Sequence, residues 1–435
     1  MTLKKKFKNC AFYQIVWVGL YLLLSACGSN LKVNKTPIYK YFNSKGFKNQ
    51  MSGLLVYDPA TKDTLVNING SQYFIPASNT KILTLYTALS ILPKQMPLVR
   101  VLEIGADTLL ISGMGDPTPF HPYFKDSTLL NIIKPYKHVG IVPGQFLDHP
   151  YGPGWAWEDY DSYFSAERSS LPLFGNVLEI VKKDSIILIT PAIFKTAVTI
   201  KKKEHTFYRA AHKNKFYLPS GDFKNEIPFL TSDSLNLSVL KQMSGLDFFI
   251  SKSFKKEASK LVFSISRDSV LKRMMEVSDN FLAEQLLVNA SAYLSDSLSI
   301  KPSQKYMLEG PLKNLVQKPK WVDGSGLSRY NLLSPISLVQ VLEKLYTEQP
   351  NAALLNFFPA GGKSGTLSSW FKGSPQPYIF AKTGSLGNTF CLSGYLKTKR
   401  GKTFIFSYMN NHYTKPSAQI KKEMEQVLEA IRDHY

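Results

Sequence analysis

Strand-forming segments lie at both ends of this chain, and this distribution is the strongest constraint on its fold. Residues 52–65 predict a hairpin around a turn rich in Asp, Pro and Thr. Near the C-terminus, three more strands are predicted at 378–381, 389–396 and 403–408, followed by a helix over 417–432. We therefore predict an α/β domain of the α+β class, in which both termini contribute strands to one sheet.

The middle of the chain has a different pattern. Short β-rich runs such as 185–190 and 197–200 are broken by glycine, proline and charged residues. We predict a β-rich inserted domain over 94–260, which divides one catalytic domain into residues 38–93 and 261–435. A length of 435 residues agrees with about two to three domains.

The N-terminus has the three parts of a secretory signal. Several lysines precede an apolar run over 15–24, which is shorter than the roughly 20 residues that a membrane span needs. Leu24-Ser25-Ala26-Cys27 is typical of a bacterial lipobox. We predict that residues 1–26 are a lipoprotein signal peptide, that Cys27 is lipidated, and that 27–37 form a polar tether. The alternative is an ordinary cleaved signal with an incidental cysteine.

Composition limits the compartment and the class of function. Of the three cysteines, Cys10 leaves with the signal and Cys27 carries lipid, so Cys391 alone remains and no internal disulfide is expected. The net charge of +21 is spread along the chain without a nucleic-acid motif, so we expect an anionic cell envelope rather than nucleic acid nearby. The seven histidines show no metal-binding spacing, and no metal or other cofactor is expected.

A candidate nucleophile and base stand where an apolar helix begins. Ser78-Asn79-Thr80-Lys81 opens a run that stops at Pro93, and a spacing of three on a helix puts Ser78 and Lys81 on the same side. A helix N-terminus also favours developing negative charge. The spacing alone is weak, because it also begins at Ser29, Ser238, Ser253, Ser269 and Ser369.

Two further motifs follow in order, and each occurs once. Ser278-Asp279-Asn280 lies near a predicted helix start, where an ordinary helix cap is the structural alternative. Lys382-Thr383-Gly384-Ser385 follows a strand predicted to end at Ala381, where a lysine and a hydroxyl can bind a carboxylate and glycine allows close approach of a ligand backbone. A strand-end turn is the alternative here. The ordered trio is typical of β-lactamases and penicillin-binding proteins.

With these motifs the chain resembles the low-molecular-mass penicillin-binding proteins of the D-alanyl-D-alanine carboxypeptidase/endopeptidase type, the DacB-like family. The resemblance spans nearly the whole mature chain and includes four further stretches, Gly113–Pro117, Gly154–Asp159, Asp323–Arg329 and Gly365–Leu367. It implies a penicilloyl-serine-transferase fold of the β-lactamase/transpeptidase type, with the insertion between the first two motifs. The interval from Lys81 to Ser278 is much longer than in typical serine β-lactamases.

The resemblance implies a serine-type D-Ala-D-Ala carboxypeptidase and leaves endopeptidase cleavage open. Ser78 would attack the carbonyl of the penultimate D-Ala, Lys81 would be the general base, and Ser278 would relay a proton to the leaving amine. Burial and the neighbouring Lys382 are expected to lower the pKa of Lys81. β-Lactams would acylate Ser78 by the same route.

Substrate binding is assigned to four residues by the same resemblance. Asn280 would hold the substrate amide, and Lys382 with Thr383 would bind the terminal carboxylate. The backbone N–H groups of Ser78 and Ser385 would form the oxyanion hole. The expected partners are peptidoglycan with its D-Ala-D-Ala stem peptides, β-lactams, and the outer or inner membrane that holds the anchor on its periplasmic side.

Two departures from the family pattern predict an altered substrate preference. Ser368-Ser369-Trp370-Phe371 stands where the family often has an arginine, and Ser385 stands where threonine is common. Three acidic residues of the insertion are expected to be structural, with contact to an amino side chain of the substrate as the alternative: Asp116, Glu158 and Asp159. The rival functions are a serine β-lactamase or esterase on the same fold, and a non-catalytic lipoprotein that binds the cell wall.

Overall fold

The computed structural model describes Phe42 and residues 49–201, 206–373 and 375–435. The predicted signal peptide 1–26, Cys27 and the tether 27–37 lie outside these residues, so those predictions stay predictions. Within the described ranges, no helix is long and apolar enough to cross a membrane.

In chain order the described strands are β1 (Met51–Asp58), β2 (Asp63–Ile68), β3 (Gln95–Ile104), β4 (Thr108–Gly113), β5 (His138–Val142), β6 (Val177–Lys183), β7 (Ile186–Thr190), β8 (Val198–Ile200), β9 (Tyr208–Arg209), β10 (Phe216–Leu218), β11 (Phe223–Pro228), β12 (Asp247–Ile250), β13 (Lys260–Ser266), β14 (Ile379–Leu386), β15 (Thr389–Lys397) and β16 (Thr403–Asn411). The α-helices are α1 (Lys81–Ile91), α2 (Thr128–Ile133), α3 (Asp233–Ser244), α4 (Arg267–Glu276), α5 (Asn280–Ser295), α6 (Lys301–Glu309), α7 (Pro335–Glu348), α8 (Asn351–Phe357) and α9 (Ser417–His434).

A five-stranded antiparallel sheet joins the two ends of the chain, as predicted. Its strand order is β14-β15-β16-β1-β2, and β1 pairs with β16 from Met51 opposite Asn411 to Tyr57 opposite Ile405. Helix α7 packs on β1 and β16, and α9 packs on β15 through one apolar face. Helix α1 is buried from Lys81 to Ala88, which explains why its sequence is apolar on nearly every side.

One predicted boundary in this sheet is wrong. The strand expected to end at Ala381 continues to Leu386, because β14 pairs with β15 from Ile379 opposite Leu396 to Leu386 opposite Thr389. The Lys-Thr-Gly-Ser motif therefore lies within an edge strand rather than in a turn after it. Threonine is common in strands, so this motif does not end the strand. Glycine is less usual inside a strand, and Gly384 is present because a larger residue would collide with the Pro76 carbonyl.

Between α1 and α4 the chain builds three more sheets. A mixed sheet of order β12-β5-β4-β3-β13 has its own apolar core with α2 and α3. Two three-stranded sheets, β11-β6-β7 and β8-β10-β9, share a second core around Phe194, Phe216 and Phe229. The predicted runs 185–190 and 197–200 correspond to β7 and β8. The bounds 94–260 of an inserted domain stay a prediction, and β13 continues the mixed sheet to Ser266.

Two amide side chains on α5 bind the inserted sheets to the helix. Asn289 Nδ2 donates to the carbonyl oxygens of Pro97 at 2.7 Å and Met114 at 2.8 Å. Gln285 Nε2 donates at 2.9 Å to two further carbonyls of the same region. Both side chains are fully buried, so no water could replace the two amides as hydrogen-bond donors to these carbonyls. Helix α5 therefore fixes where these segments lie relative to the Ser278-Asp279-Asn280 motif at the start of the helix.

Replacing Asn289 by alanine should reduce the free energy of unfolding by about 2–3 kcal/mol, because two buried carbonyls lose their donor. Equilibrium urea unfolding measures the change. The matched control is Gln419→Ala, whose exposed side chain bonds only Glu423 on the surface of α9 and should change stability by less than about 0.5 kcal/mol. Equal stability of the two variants would contradict the bridging role of Asn289.

Candidate active site

Ser78 lies in a single 3-10 turn, Ala77–Thr80, that leads directly into α1. The turn begins at Ala77, whose φ of 47° falls in the left-handed region that non-glycine residues rarely adopt. Thr80 Oγ1 donates to Ala77 O at 2.9 Å, and Asn79 Nδ2 donates to Lys382 O at 3.0 Å. These bonds hold a strained turn in place and attach it to β14.

Lys81 is completely buried, and its ammonium group has three oxygen partners. Nζ donates to Ser78 Oγ at 3.0 Å, to Asn280 Oδ1 at 2.6 Å and to the Ser325 carbonyl at 2.7 Å. The first two distances bring together the serine-lysine pair and the asparagine that the sequence places 199 positions later. The third partner is a backbone atom that the sequence did not indicate.

The second lysine, Lys382, binds the serine of the second motif. Its Nζ donates to Ser278 Oγ at 2.9 Å and to the Thr383 carbonyl at 2.8 Å, and the side chain is also completely buried. Ser278 has a φ of 61°, another left-handed non-glycine residue. Two strained residues, Ala77 and Ser278, and two buried lysines thus meet in one place, which is typical of a functional site.

Burial lowers the pKa of both lysines. The pKa of Lys81 falls to about 8 because its charged form is desolvated, against the opposing effect of the nearby Asp323, Asp279 and Glu284 carboxylates. The pKa of Lys382 falls well below its ordinary value, first through burial and then through the charge of Lys81. The expected effect of burial on Lys81 is therefore present, while the repulsion between the lysines acts on Lys382. A neutral amine at Lys81 is accessible near neutral pH.

Asn280 and Asp279 divide two tasks between them. Asp279 caps α5 by accepting from the Leu282 N–H at 3.0 Å, as the structural alternative for this motif predicted. Asn280 instead points its Oδ1 at Lys81 and donates from Nδ2 to the Phe164 carbonyl at 3.0 Å. The helix cap and the Lys81 partner are thus neighbours in one motif, and the role of Asn280 in substrate binding stays a prediction.

The exposed end of the site lies along β14. Thr383 Oγ1 donates to Thr366 Oγ1 at 2.8 Å, which brings the Gly365–Leu367 turn beside the third motif. Ser385 is exposed at the sheet edge. A Cβ atom on Gly384 would stand 2.6 Å from the Pro76 carbonyl, so it is the turn before Ser78, rather than a ligand backbone, that requires glycine here.

The Asp323–Arg329 loop contacts Lys81. Besides the bond from Lys81 to Ser325, Thr84 Oγ1 donates to the Gly324 carbonyl at 2.7 Å. Gly326 has a φ of 82°, and a Cβ atom there would lie 1.9 Å from the Ala77 carbonyl. The sequence did not decide whether this loop is a structural turn or a substrate contact. In the structure, its backbone packs directly against the Ser78 turn and Lys81.

The acidic residues of the middle part of the chain that were singled out in the sequence make none of these contacts. Asp116 is buried and bonded to Thr118 and Ser264, which fits a structural role, whereas Glu158 is exposed in a short 3-10 helix that ends at Asp159. Cys391 is completely buried in β15, as predicted. Among the described residues, no cluster of three His, Cys, Asp or Glu side chains is arranged to bind a metal ion.

Trp370 occupies the stretch where an arginine is common in the family. Its ring contacts that of Phe371 at a tilt of 33°, with centroids 4.2 Å apart, and meets Phe390 edge-on at 5.7 Å. Phe390 stands opposite Ser385 in the β14–β15 pair. An aromatic side chain therefore lies beside the exposed end of the site in place of a cation.

A half-buried serine bonded to a buried lysine on an α+β fold, completed by Ser-Asp-Asn and Lys-Thr-Gly motifs, defines a serine acyl-transferring enzyme of the penicillin-binding class. Residues 37–214 and 252–431 match the D-Ala-D-Ala carboxypeptidase 3 (S13) family, Peptidase S13, and the chain belongs to this family. It is therefore a serine-type D-Ala-D-Ala carboxypeptidase, a hydrolase of the cell envelope, and the predicted enzyme class is confirmed.

Individual relatives agree with this assignment. The D-alanyl-D-alanine carboxypeptidase DacB of Haemophilus influenzae is 23% identical over 427 residues, which cover 85% of this chain and 87% of the relative. The penicillin-sensitive carboxypeptidase A of Dictyostelium discoideum is 22% identical, covering 86% of this chain and 85% of the relative. The crystal structure of penicillin binding protein 4 (dacB) from Haemophilus influenzae superposes with a TM-score of 0.73 at 20% identity, covering 91% of this chain and 98% of that chain. This superposition confirms the predicted fold.

Gly326→Ala should prevent folding or reduce the free energy of unfolding by at least about 3 kcal/mol, because the new methyl group collides with the Ala77 carbonyl and the left-handed backbone is strained. Urea unfolding followed by circular dichroism measures the loss. Gly387→Ala is the control, since nothing lies within 4 Å of its Cβ position, and it should be nearly neutral. A stable Gly326→Ala protein would be incompatible with the close approach of the two loops.

Proposed function

We propose that this enzyme removes the terminal D-Ala from peptidoglycan stem peptides through an acyl-enzyme on Ser78. The observation that carries the proposal is the position of Lys81 Nζ, 3.0 Å from Ser78 Oγ, with Lys81 fully buried and Ser78 half-buried. A lysine with a pKa of about 8 is partly neutral at physiological pH and can accept the serine proton.

The first half-reaction forms the ester. Lys81 takes the Ser78 proton as the serine oxygen attacks the carbonyl of the penultimate D-Ala. The backbone N–H groups of Ser78 and Ser385 stabilise the oxyanion, a contribution worth about 3–4 kcal/mol per donor in measured cases. The contact of Gly384 with the chain just before Ser78 supports this geometry, because it keeps β14 close to the nucleophile.

Departure of the leaving D-Ala needs a proton on its amine. Ser278 is the proposed proton donor. Lys382 Nζ donates to Ser278 Oγ at 2.9 Å, so Lys382 can supply a proton to Ser278 when Ser278 gives its own to the amine. The proton that Lys81 took from Ser78 replaces the one that Lys382 gave up, so Lys81 becomes neutral again. Water then hydrolyses the ester: Lys81 takes a proton from the water and returns it to the Ser78 oxygen as the ester breaks. All the protons move between oxygen and nitrogen atoms of the described side chains and the substrate.

Three side chains hold the substrate in this scheme. Lys382 and Thr383 bind the terminal carboxylate, whose negative charge favours the protonated form of Lys382 although burial lowers its pKa. Asn280 Nδ2 carries two hydrogens and gives one to Phe164, so the other can donate to a substrate amide carbonyl. The exposed edge of β14 around Ser385 is the surface along which an extended peptide can lie.

Cleavage of peptide cross-links is a second candidate activity, because the acyl group is the same and only the leaving amine differs. We also infer that the enzyme is periplasmic and lipid-anchored at Cys27 to the outer or inner membrane, which rests on the lipobox of the sequence. β-Lactam binding is proposed on the same acylation chemistry, and the Haemophilus influenzae relative has a solved complex with a β-lactam.

Ser78→Ala should lower D-Ala release from a stem pentapeptide by at least about a thousandfold, since the acyl-enzyme cannot form. A fluorescent penicillin should label the wild-type protein on the tryptic peptide that contains Ser78, as mass spectrometry would show. Ser238→Ala is the control, an exposed serine with the same spacing to a lysine, and it should be fully active. Unchanged D-Ala release by Ser78→Ala would exclude the proposed nucleophile.

The rate constant for acylation by penicillin should rise with pH up to about pH 8 and then level. Lys81 accepts a proton only when neutral, so below a pKa of about 8 the rate should fall roughly tenfold per pH unit. Stopped-flow measurement of acylation from pH 5.5 to 9 gives the profile. A rate that is constant between pH 6 and 8 would contradict a lysine base with this pKa.

A further inference from the structure

We propose that Asp323 is a positioning residue for the base: its carboxylate fixes the peptide group whose carbonyl oxygen binds Lys81. This inference rests on the proposed role of Lys81 as general base. The Asp-Gly-Ser-Gly loop would then act on catalysis through Lys81, without touching the substrate.

The hydrogen-bond partners of Lys81 determine where its lone pair points. A neutral amine has two N–H groups and one lone pair. Two of the three partners, Asn280 Oδ1 at 2.6 Å and the Ser325 carbonyl at 2.7 Å, can only accept, so they take both N–H groups. The lone pair is left for Ser78 Oγ at 3.0 Å. If either carbonyl moved away, an N–H group could turn to the serine, and Lys81 would donate to the nucleophile instead of accepting its proton.

Asp323 fixes the second of these carbonyls. The Ser325 carbonyl and the Gly326 N–H belong to one planar peptide group, and this N–H donates to Asp323 Oδ1 at 2.8 Å. Both carboxylate oxygens are bonded further, by Asn331 Nδ2 at 2.7 Å on Oδ1, and by Ser328 N at 2.6 Å and Trp155 Nε1 at 2.9 Å on Oδ2. Three donors from the segment that follows Asp323 and one from Trp155, far away in the sequence, therefore hold the carboxylate in one orientation.

Asp323 is completely buried, which excludes direct contact with the substrate. Glu284 assists from α5, because its Oε1 accepts from the Ser325 N–H at 2.7 Å. The other oxygen of Glu284 faces Arg168 at 3.6 Å. The peptide groups on both sides of Ser325 are thus held by acidic side chains that lie behind the site.

Asp323 also sets the charge around the base. Four charged groups face Lys81 from the elements packed around it: Asp323 in the loop, Asp279 before α5, Glu284 on α5, and Lys382 on β14. Of the three carboxylates, Asp323 raises the pKa of Lys81 most. Burial raises the pKa of Glu284 to about 7, so Glu284 is partly uncharged near neutral pH. Removing the charge of Asp323 should therefore lower the pKa of Lys81 further.

The test is Asp323→Asn, which keeps the shape of the side chain but removes the charge and presents an amide nitrogen to two of the four donors. The rate constant for penicillin acylation and kcat for D-Ala release should fall about ten- to a hundredfold, because the Lys81 lone pair is no longer fixed. The acid limb of the acylation profile should move to lower pH by about one unit. KM for the stem peptide should change less than about twofold, since no substrate contact is lost.

Active-site titration separates an effect on chemistry from an effect on folding. The amplitude of labelling gives the fraction of molecules that are folded, and the rate constant gives the speed of acylation in those molecules. A lower amplitude with the wild-type rate and acid limb would overturn the inference in favour of a purely structural residue. A raised KM at unchanged kcat would overturn it in favour of a substrate contact. Asp247→Asn, a surface carboxylate, is the control and should leave both the rate and the acid limb unchanged.

Trp155→Phe provides a milder variant in case Asp323→Asn does not fold. It removes one donor to Asp323 and leaves the charge, so kcat should fall severalfold while the acid limb does not move to lower pH. Unchanged kcat would overturn the inference. Ser78→Ala measured in parallel distinguishes the two proposals: acylation of that variant contradicts the proposed function, whereas an inactive Ser78→Ala beside a fully wild-type Asp323→Asn contradicts this inference alone.

Discussion

The site depends on one amino group held in a buried position between three oxygen atoms. Lys81 can act as a base only if its proton is easily lost and its lone pair points at Ser78. Burial supplies the first condition by lowering the pKa to about 8, and the carbonyl groups of Asn280 and Ser325 supply the second. Burying a lysine is costly unless its hydrogen bonds are satisfied, which explains why so much of the chain converges on this atom.

The architecture follows from that requirement. Helix α1 brings Lys81 from the N-terminal part of the chain, α5 brings Asn280 and the amides that fix the inserted sheets, and β14 brings Lys382 from the C-terminal part. The sheet that joins both ends of the chain makes this convergence possible. It places β14 two strands from β16, and β16 pairs with β1 from the N-terminal part of the chain. Each catalytic group is thus attached to a regular element that is itself packed in the core.

Much of this arrangement was predictable from the sequence, because side-chain types and their spacing carry it. The Ser78–Lys81 pair follows from the helical period, and the hairpin and C-terminal strands follow from alternation and turn residues. The Ser325 carbonyl was not predictable, since every residue has a carbonyl. Nor could the sequence reveal that Gly326 and Gly384 make room for the Ser78 turn, because that depends on which loops meet in space. The end of β14 was misplaced because the motif residues keep the strand conformation.

The most direct test of the account is the protonation state of the buried lysine. Carbon-13 labelling of the lysine Cε atoms allows each amine to be titrated by NMR, and Lys81→Arg assigns the resonance that disappears. The account predicts that the Lys81 signal titrates near pH 8, well below the exposed lysines. A Lys81 signal that stays in its charged form up to pH 10 or above would contradict a neutral lysine base and, with it, the proposed origin of catalysis.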